Sequence, residues 1–176
     1  RIEIVESVQR SLEALAALSA EFAPYQHEAA FGLDEMPVLV VGAGQDSFQL
    51  RGYIDRVDRA PGGAVRAIDY KTAGPWSYTK RAVAEGKKLQ LPLYALAVRD
   101  ALELGDPVEG FYWHVRQAEP SPFQMSTFDG GPEGAMEAAV GKAWEAVRGA
   151  RDGVGPRRRR DQNEAYAEQC LDADGV

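Results

Sequence analysis

The sequence predicts an α/β domain in which a mixed β-sheet is flanked by α-helices, and three observations lead there. Strand-like runs bracket a turn signal at Ala60-Pro61-Gly62-Gly63, so an antiparallel hairpin forms the middle of the chain. Helix-spaced apolar residues precede it, and a helical run and a further strand follow it, an order that suits a mixed central sheet with helices packed upon it. The 176 residues are 45% apolar, enough to bury one sizeable core.

Each element has a local reason. Val5, Val8, Leu12 and Leu15 recur at helical spacing and predict an amphipathic helix from Ile2 to Ala20. Strands are expected near Gln26 to Leu33 and Val38 to Val41, then as the hairpin arms, Phe48 to Arg59 and Ala64 to Thr72. A short helix near Tyr78 to Glu85 and a longer one near Leu89 to Leu104 come next. Pro92 suits the longer helix only within its first turn, where a missing N–H breaks no ladder bond. The strand Val108 to Gln117 puts Phe111, Trp113 and Val115 on one face and Tyr112, His114 and Arg116 on the other, which makes His114 an ordinary polar sheet position. A loop containing Pro120 and Pro122 leads through a short strand near Met125 to a helix near Glu133 to Arg151. That helix carries a core-facing stripe of Met136, Val140, Trp144 and Val147. One domain, 1–153, is expected, followed by a basic, flexible tail, 154–176, which holds the run Arg157 to Arg160.

Composition narrows the function classes. A net charge of −7 argues against a protein that coats nucleic acid, but leaves room for one with local positive charge. Lys80, Arg81, Lys87 and Lys88 supply such charge beside the longer helix. The N-terminal stretch is interrupted by Glu3, Glu6, Arg10 and Glu13, so neither a secretory signal nor a membrane span is expected, and a cytoplasmic setting follows. A single cysteine, Cys170, excludes an intramolecular disulfide and a four-cysteine metal site within this chain.

The chemistry concentrates on the hairpin. Asp55 and Asp69 each lie seven residues from Gly62, so a hairpin centred there sets them opposite each other. Directly opposed residues share a face with Cβ atoms about 4.5–5.5 Å apart. Two ionised carboxylates at that distance repel, and a divalent cation between them removes the conflict; hard oxygen ligands suit Mg²⁺ or Mn²⁺. Lys71 emerges on the same face by the strand's period of two. The alternative is a solvated hairpin with an incidental ion pair, which is energetically minor. Gln90 and Tyr94 fall four apart on one helical face, and with Lys87 and Lys88 they cluster at a helix N-terminus, where free N–H groups favour phosphate. The alternative there is an amphipathic helix that simply packs.

The series Gly52-x-x-Asp55, Asp69-Tyr70-Lys71-Thr72 and Gln90-x-x-x-Tyr94 resembles the motifs of the PD-(D/E)XK nuclease superfamily, and among them the nuclease domains of RecB and AddB. The wording Arg51-Gly52-Tyr53-Ile54-Asp55 and Ile68-Asp69-Tyr70-Lys71-Thr72 carries most of the likeness. The resemblance implies a restriction-endonuclease-like fold and a catalytic Mg²⁺ or Mn²⁺ held by Asp55, Asp69 and the backbone carbonyl of Tyr70. It gives Lys71 the task of positioning or activating the attacking water, and has Gln90 and Tyr94 contact DNA or brace the site. Glu28 stands where RecB-like domains carry a glutamate ahead of the hairpin; an exposed charge on an edge strand is the alternative. Many such domains also place a histidine on an earlier helix, whereas this chain has only His27 and His114. His27 neighbours Glu28 on a strand and should face the other way. Either the chain represents a subgroup without that histidine or it begins downstream of one; because the first residue is Arg1 and opens into helix-like sequence, the second is expected. Related nucleases clamp an iron–sulfur cluster with one early and three late cysteines; Cys170 alone leads to the expectation of no cluster. The implied partners are DNA and a helicase domain or subunit. A nuclease-fold module that binds DNA or a partner subunit without cutting is the alternative.

Overall fold

The computed structural model describes residues 2–18 and 21–151. The basic run Arg157 to Arg160 and Cys170 lie outside the described residues, as does the boundary expected at 153–154.

The hairpin organises the rest. Its arms are β4 (Gly52–Arg59) and β5 (Ala64–Lys71), joined by a turn in which Gly62 and Gly63 take φ of 104° and 90°, values that suit residues without a Cβ. The predicted first arm, Phe48 to Arg59, is two strands: β3 (Asp46–Leu50) pairs with β2 (Leu39–Ala43) in a separate ribbon, and the chain changes partners at Arg51. Around β4 and β5 the main sheet is ordered β1-β4-β5-β6-β7, with β1 at Ala23–Phe31, β6 at Asp106–His114 and β7 at Glu119–Gln124. β5 and β6 are parallel while the other neighbours are antiparallel, so the sheet is mixed as expected. A parallel pair needs a crossover. Here α2 (Lys80–Ala84) and α3 (Gln90–Asp100) provide it, followed after β7 by α4 (Gly131–Arg151).

Both faces of the sheet are buried. On one, Val57, Val65, Ala67 and Tyr112 pack with Leu91, Ala95 and Val98 of α3 and with Ala135 and Met136 of α4, while Phe48 of the ribbon meets Trp144 edge-on at 4.9 Å. On the other, Ile68, Phe111 and Trp113 pack against Leu15 of α1 (Ile2–Ala17). Only Leu15 of the four residues that predicted this helix's apolar stripe is buried; Val5, Val8 and Leu12 are exposed. The rotation follows from Trp113, whose indole Nε1 donates to Ser11 Oγ at 2.7 Å, since a buried indole N–H needs an acceptor.

Three further expectations are corrected. Pro120 and Pro122 belong to β7, not to a loop, and Met125 starts a 3₁₀ turn at Met125–Thr127. Among the described residues β7 pairs only with β6, and an edge strand accommodates residues that cannot donate to a ladder. His114, expected at an ordinary polar position, is fully buried, because α3 and the segment after β5 cover that face.

Gly105 tests the join between hairpin and crossover. It has φ of 148°, and a Cβ there would lie 2.1 Å from the carbonyl oxygen of Gly63, which already accepts the Asp106 N–H at 3.1 Å. Gly105→Ala is therefore expected to cost about 1–3 kcal/mol, read as a lower urea midpoint at unchanged slope.

Candidate active site

The ladder between β4 and β5 runs from Arg59↔Val65 to Arg56↔Ile68 and ends there. One position further, the same register sets Asp55 opposite Asp69. In place of a ladder bond, Asp55 Oδ2 accepts the backbone N–H of Tyr70 at 2.7 Å, so the carboxylate is turned onto β5. Asp69 is 1% exposed. Its Oδ2 lies 2.5 Å from Lys71 Nζ, an ion pair by distance whose angles miss those of a hydrogen bond, which leaves Oδ2 buried without a hydrogen-bond partner.

Lys71 leads onward to α3. Its Nζ donates to Gln90 Oε1 at 3.1 Å, and Gln90 Nε2 donates to the Tyr94 hydroxyl at 2.7 Å. Gln90 is the first residue of α3 and Pro92 falls in its first turn, as the spacing predicts. The Leu91 N–H donates to the buried Tyr112 hydroxyl at 3.3 Å, and Pro92 has no N–H, so little of this helix end is left for a phosphate. Lys71 Nζ also lies 5.5 Å from the centre of the Tyr112 ring, and Lys88 Nζ 4.6 Å from that of Tyr78. Tyr78 packs against Tyr112 at 4.6 Å. Composition alone does not single out these two tyrosines; the signal was their nearness to motif residues on the strand and on the segment after it.

The remaining predicted residues lie further out. Lys87 is exposed and paired with Glu85 at 2.7 Å. Glu28 is exposed on the edge strand β1; His27 pairs with Arg56 and Ala29 with Ile54, so Glu28 falls alongside Asp55. Its φ of 48° breaks the strand's alternation, and His27 and Glu28 are both exposed. Among the described residues no three side chains of His, Cys, Asp or Glu converge as a metal cage.

Burial pushes the Asp69 carboxyl up to about 6, Lys71 and Lys88 oppose the shift, and Asp55 adds to it. An unfolded aspartate titrates near 3.9. Between those values the folded chain keeps a proton that the unfolded chain has released, so stability falls as pH rises. The contribution is fully present below about pH 4 and lost through about pH 6; two units correspond to about 3 kcal/mol. Urea unfolding in chelator at pH 4 to 7 should show this decline, and Asp69→Asn should remove that part of it.

The sequence pattern of the PD-(D/E)XK nuclease superfamily matches residues 3–173. The chain belongs to this superfamily. Its five-stranded mixed sheet with flanking helices is the restriction-endonuclease-like fold that the motifs imply. Over 128 residues, 66% of the chain, it is 35% identical to a subunit of an ATP-dependent helicase/deoxyribonuclease from Moorella thermoacetica. The match spans 11% of that relative's length. Among the described residues no helix is long and apolar enough to cross a membrane.

Proposed function

We propose that this chain is a divalent-metal-dependent deoxyribonuclease domain that hydrolyses phosphodiester bonds as part of a larger DNA repair or recombination protein, working in the cytoplasm with a fused or recruited helicase. The observation that carries this reading is one line of polar contacts. It runs from Asp69 through Lys71 and Gln90 to Tyr94 and joins two motifs that are nineteen residues apart. Packing alone gives no reason to line up a buried carboxylate, an ammonium, an amide and a phenol.

The donor set fits Mg²⁺ or Mn²⁺. Asp69 offers a buried oxygen without a hydrogen bond, Asp55 lies opposite it, and carboxylate and carbonyl oxygens are the hard ligands these ions take. Asp55, Asp69 and the Tyr70 carbonyl would hold the ion, which when bound makes water more acidic and neutralises charge on the phosphoryl oxygens. Lys71, held between Asp69 and Gln90, orients the attacking water and sets positive charge beside the phosphate. Water's oxygen bonds to phosphorus, the bond to the leaving oxygen breaks, and no enzyme-linked intermediate forms. Tyr94 fixes Gln90, while Gln90, Lys87 and Lys88 face the DNA and Glu28 supports the metal side.

One observation favours a second reading, a module that binds DNA or a partner subunit without cutting: no third metal-ligating side chain joins the aspartates among the described residues. Digestion of linear single- and double-stranded DNA with Mn²⁺, set against Asp69→Ala and Lys71→Ala, separates the two. Equal outcomes for all three proteins reject hydrolysis at this site.

A further inference from the structure

Trp76 is 86% exposed, in a 3₁₀ turn at Pro75–Ser77, five residues beyond Lys71. Burying an aromatic side chain stabilises a fold by about 1.5–3 kcal/mol, a gain this position forgoes. The turn itself is firmly held. Pro75 and Tyr78 on either side are buried, Tyr78 donates its N–H to Pro75 at 3.0 Å, and its carbonyl accepts the Phe123 N–H at 3.0 Å. Ahead of the turn, the Ala73 carbonyl lies 2.6 Å from Nδ1 of the buried His114; a carbonyl only accepts, so Nδ1 carries the proton. After it, Thr79 Oγ1 accepts the Ala82 N–H at 3.2 Å. The backbone is therefore preorganised while most of the indole is left to solvent, its edge beside Gly74.

Its place in the fold gives that indole a use. The ring of Tyr78, two residues on, packs on Tyr112, over which the Lys71 ammonium lies. Trp76 is thus two residues from a ring that borders the proposed catalytic site and carries the Lys88 ammonium 4.6 Å from its centre, and four residues from the exposed Lys80. A rigid, exposed aromatic flanked by positive charge is the combination that grips single-stranded nucleic acid, because every base has a face to stack and every nucleotide a phosphate. We infer that Trp76 stacks on an unpaired nucleobase of the strand entering the site, and so favours single-stranded or frayed DNA. This rests on the nuclease reading above.

The test uses the whole chain in EDTA, so that binding is measured without cleavage. A labelled twelve-residue oligothymidine should bind and quench tryptophan emission, since Trp113 is 1% exposed and Trp144 is partly buried against Phe48. Trp76→Ala should abolish the quenching and weaken binding roughly 10- to 100-fold, from a stacking contribution of about 1–3 kcal/mol per base. Trp76→Phe should retain most of the affinity, and a blunt GC-rich duplex should bind all three proteins alike. Unchanged affinity in Trp76→Ala, equal losses in the Ala and Phe variants, or no oligothymidine binding by the parent chain overturns the inference. A parallel digestion with Mn²⁺ separates the two readings. Cleavage by both parent and Trp76→Ala with unchanged affinity rejects stacking alone; loss of oligothymidine binding in Trp76→Ala with no cleavage by the parent rejects the nuclease reading and leaves the stacking contact.

Discussion

Lys71→Ala is expected to slow Mn²⁺-dependent DNA hydrolysis by roughly 10²–10³-fold, the usual loss when one preorganised charge-stabilising group is removed, and Asp69→Ala to slow it further. The larger effect at Asp69 follows from the two tasks the proposal gives it, since it would offer the buried oxygen to the ion and its carboxylate anchors the Lys71 ammonium. Lys71→Arg should restore little, because a planar guanidinium cannot occupy the point between Asp69 and Gln90 that an ammonium fills. Asp69→Asn adds a control. The asparagine removes a buried charge, so the variant should unfold at higher urea than the parent chain at pH 7 while losing cleavage. Lost activity with raised stability is a pair of results that a purely structural aspartate would not give. Cleavage by Asp69→Asn at the parent rate would sink the assignment.

The largest stability loss should come from Asp58, on the far side of the hairpin from the proposed chemistry. Asp58 is fully buried and accepts from Arg56 Nε at 2.5 Å, from Arg56 Nη2 at 3.1 Å and from Arg66 Nε at 2.8 Å. Arg56 and Arg66 are themselves buried, and Arg66 lies over the rings of Phe22 and Phe111. Asp58→Ala withdraws the carboxylate between two buried guanidinium groups and is expected to cost about 3–5 kcal/mol. Equilibrium urea unfolding reads the effect directly. A change below about 1 kcal/mol would mean that the arginines reach water once the carboxylate is gone.

Much of the fold was legible because its signals are local. Gly62 and Gly63 mark a turn whichever way the chain folds around them, and counting outward from Gly62 gives the register that sets Asp55 against Asp69. Pro92 likewise fixed where α3 begins. What was misread depends on distant partners. Alternation correctly separated Phe111 and Trp113 from Tyr112 and His114, but it cannot say which face a helix will cover, so a buried histidine read as an ordinary polar sheet position. The orientation of α1 hangs on Trp113 finding Ser11 across 102 residues. Prolines in β7 resemble prolines in a loop until the strand order shows an edge. Asp69, Lys71, Gln90 and Tyr94 were recognisable as motif letters, while Trp76 was not, because a single exposed aromatic leaves no period to detect.

Tyr70 makes a hydrogen-bonded bridge between groups that face opposite sides of the sheet. Its amide grips Asp55, while its hydroxyl accepts from Arg56 Nη1 at 3.4 Å, at the end of the Arg56–Asp58–Arg66 cluster. A disturbance behind the sheet therefore has a route to the acidic pair through one residue. Second-site revertants of weak mutants at Asp55 should accordingly map to the rear arginines as well as to the neighbours of Asp69 and Lys71.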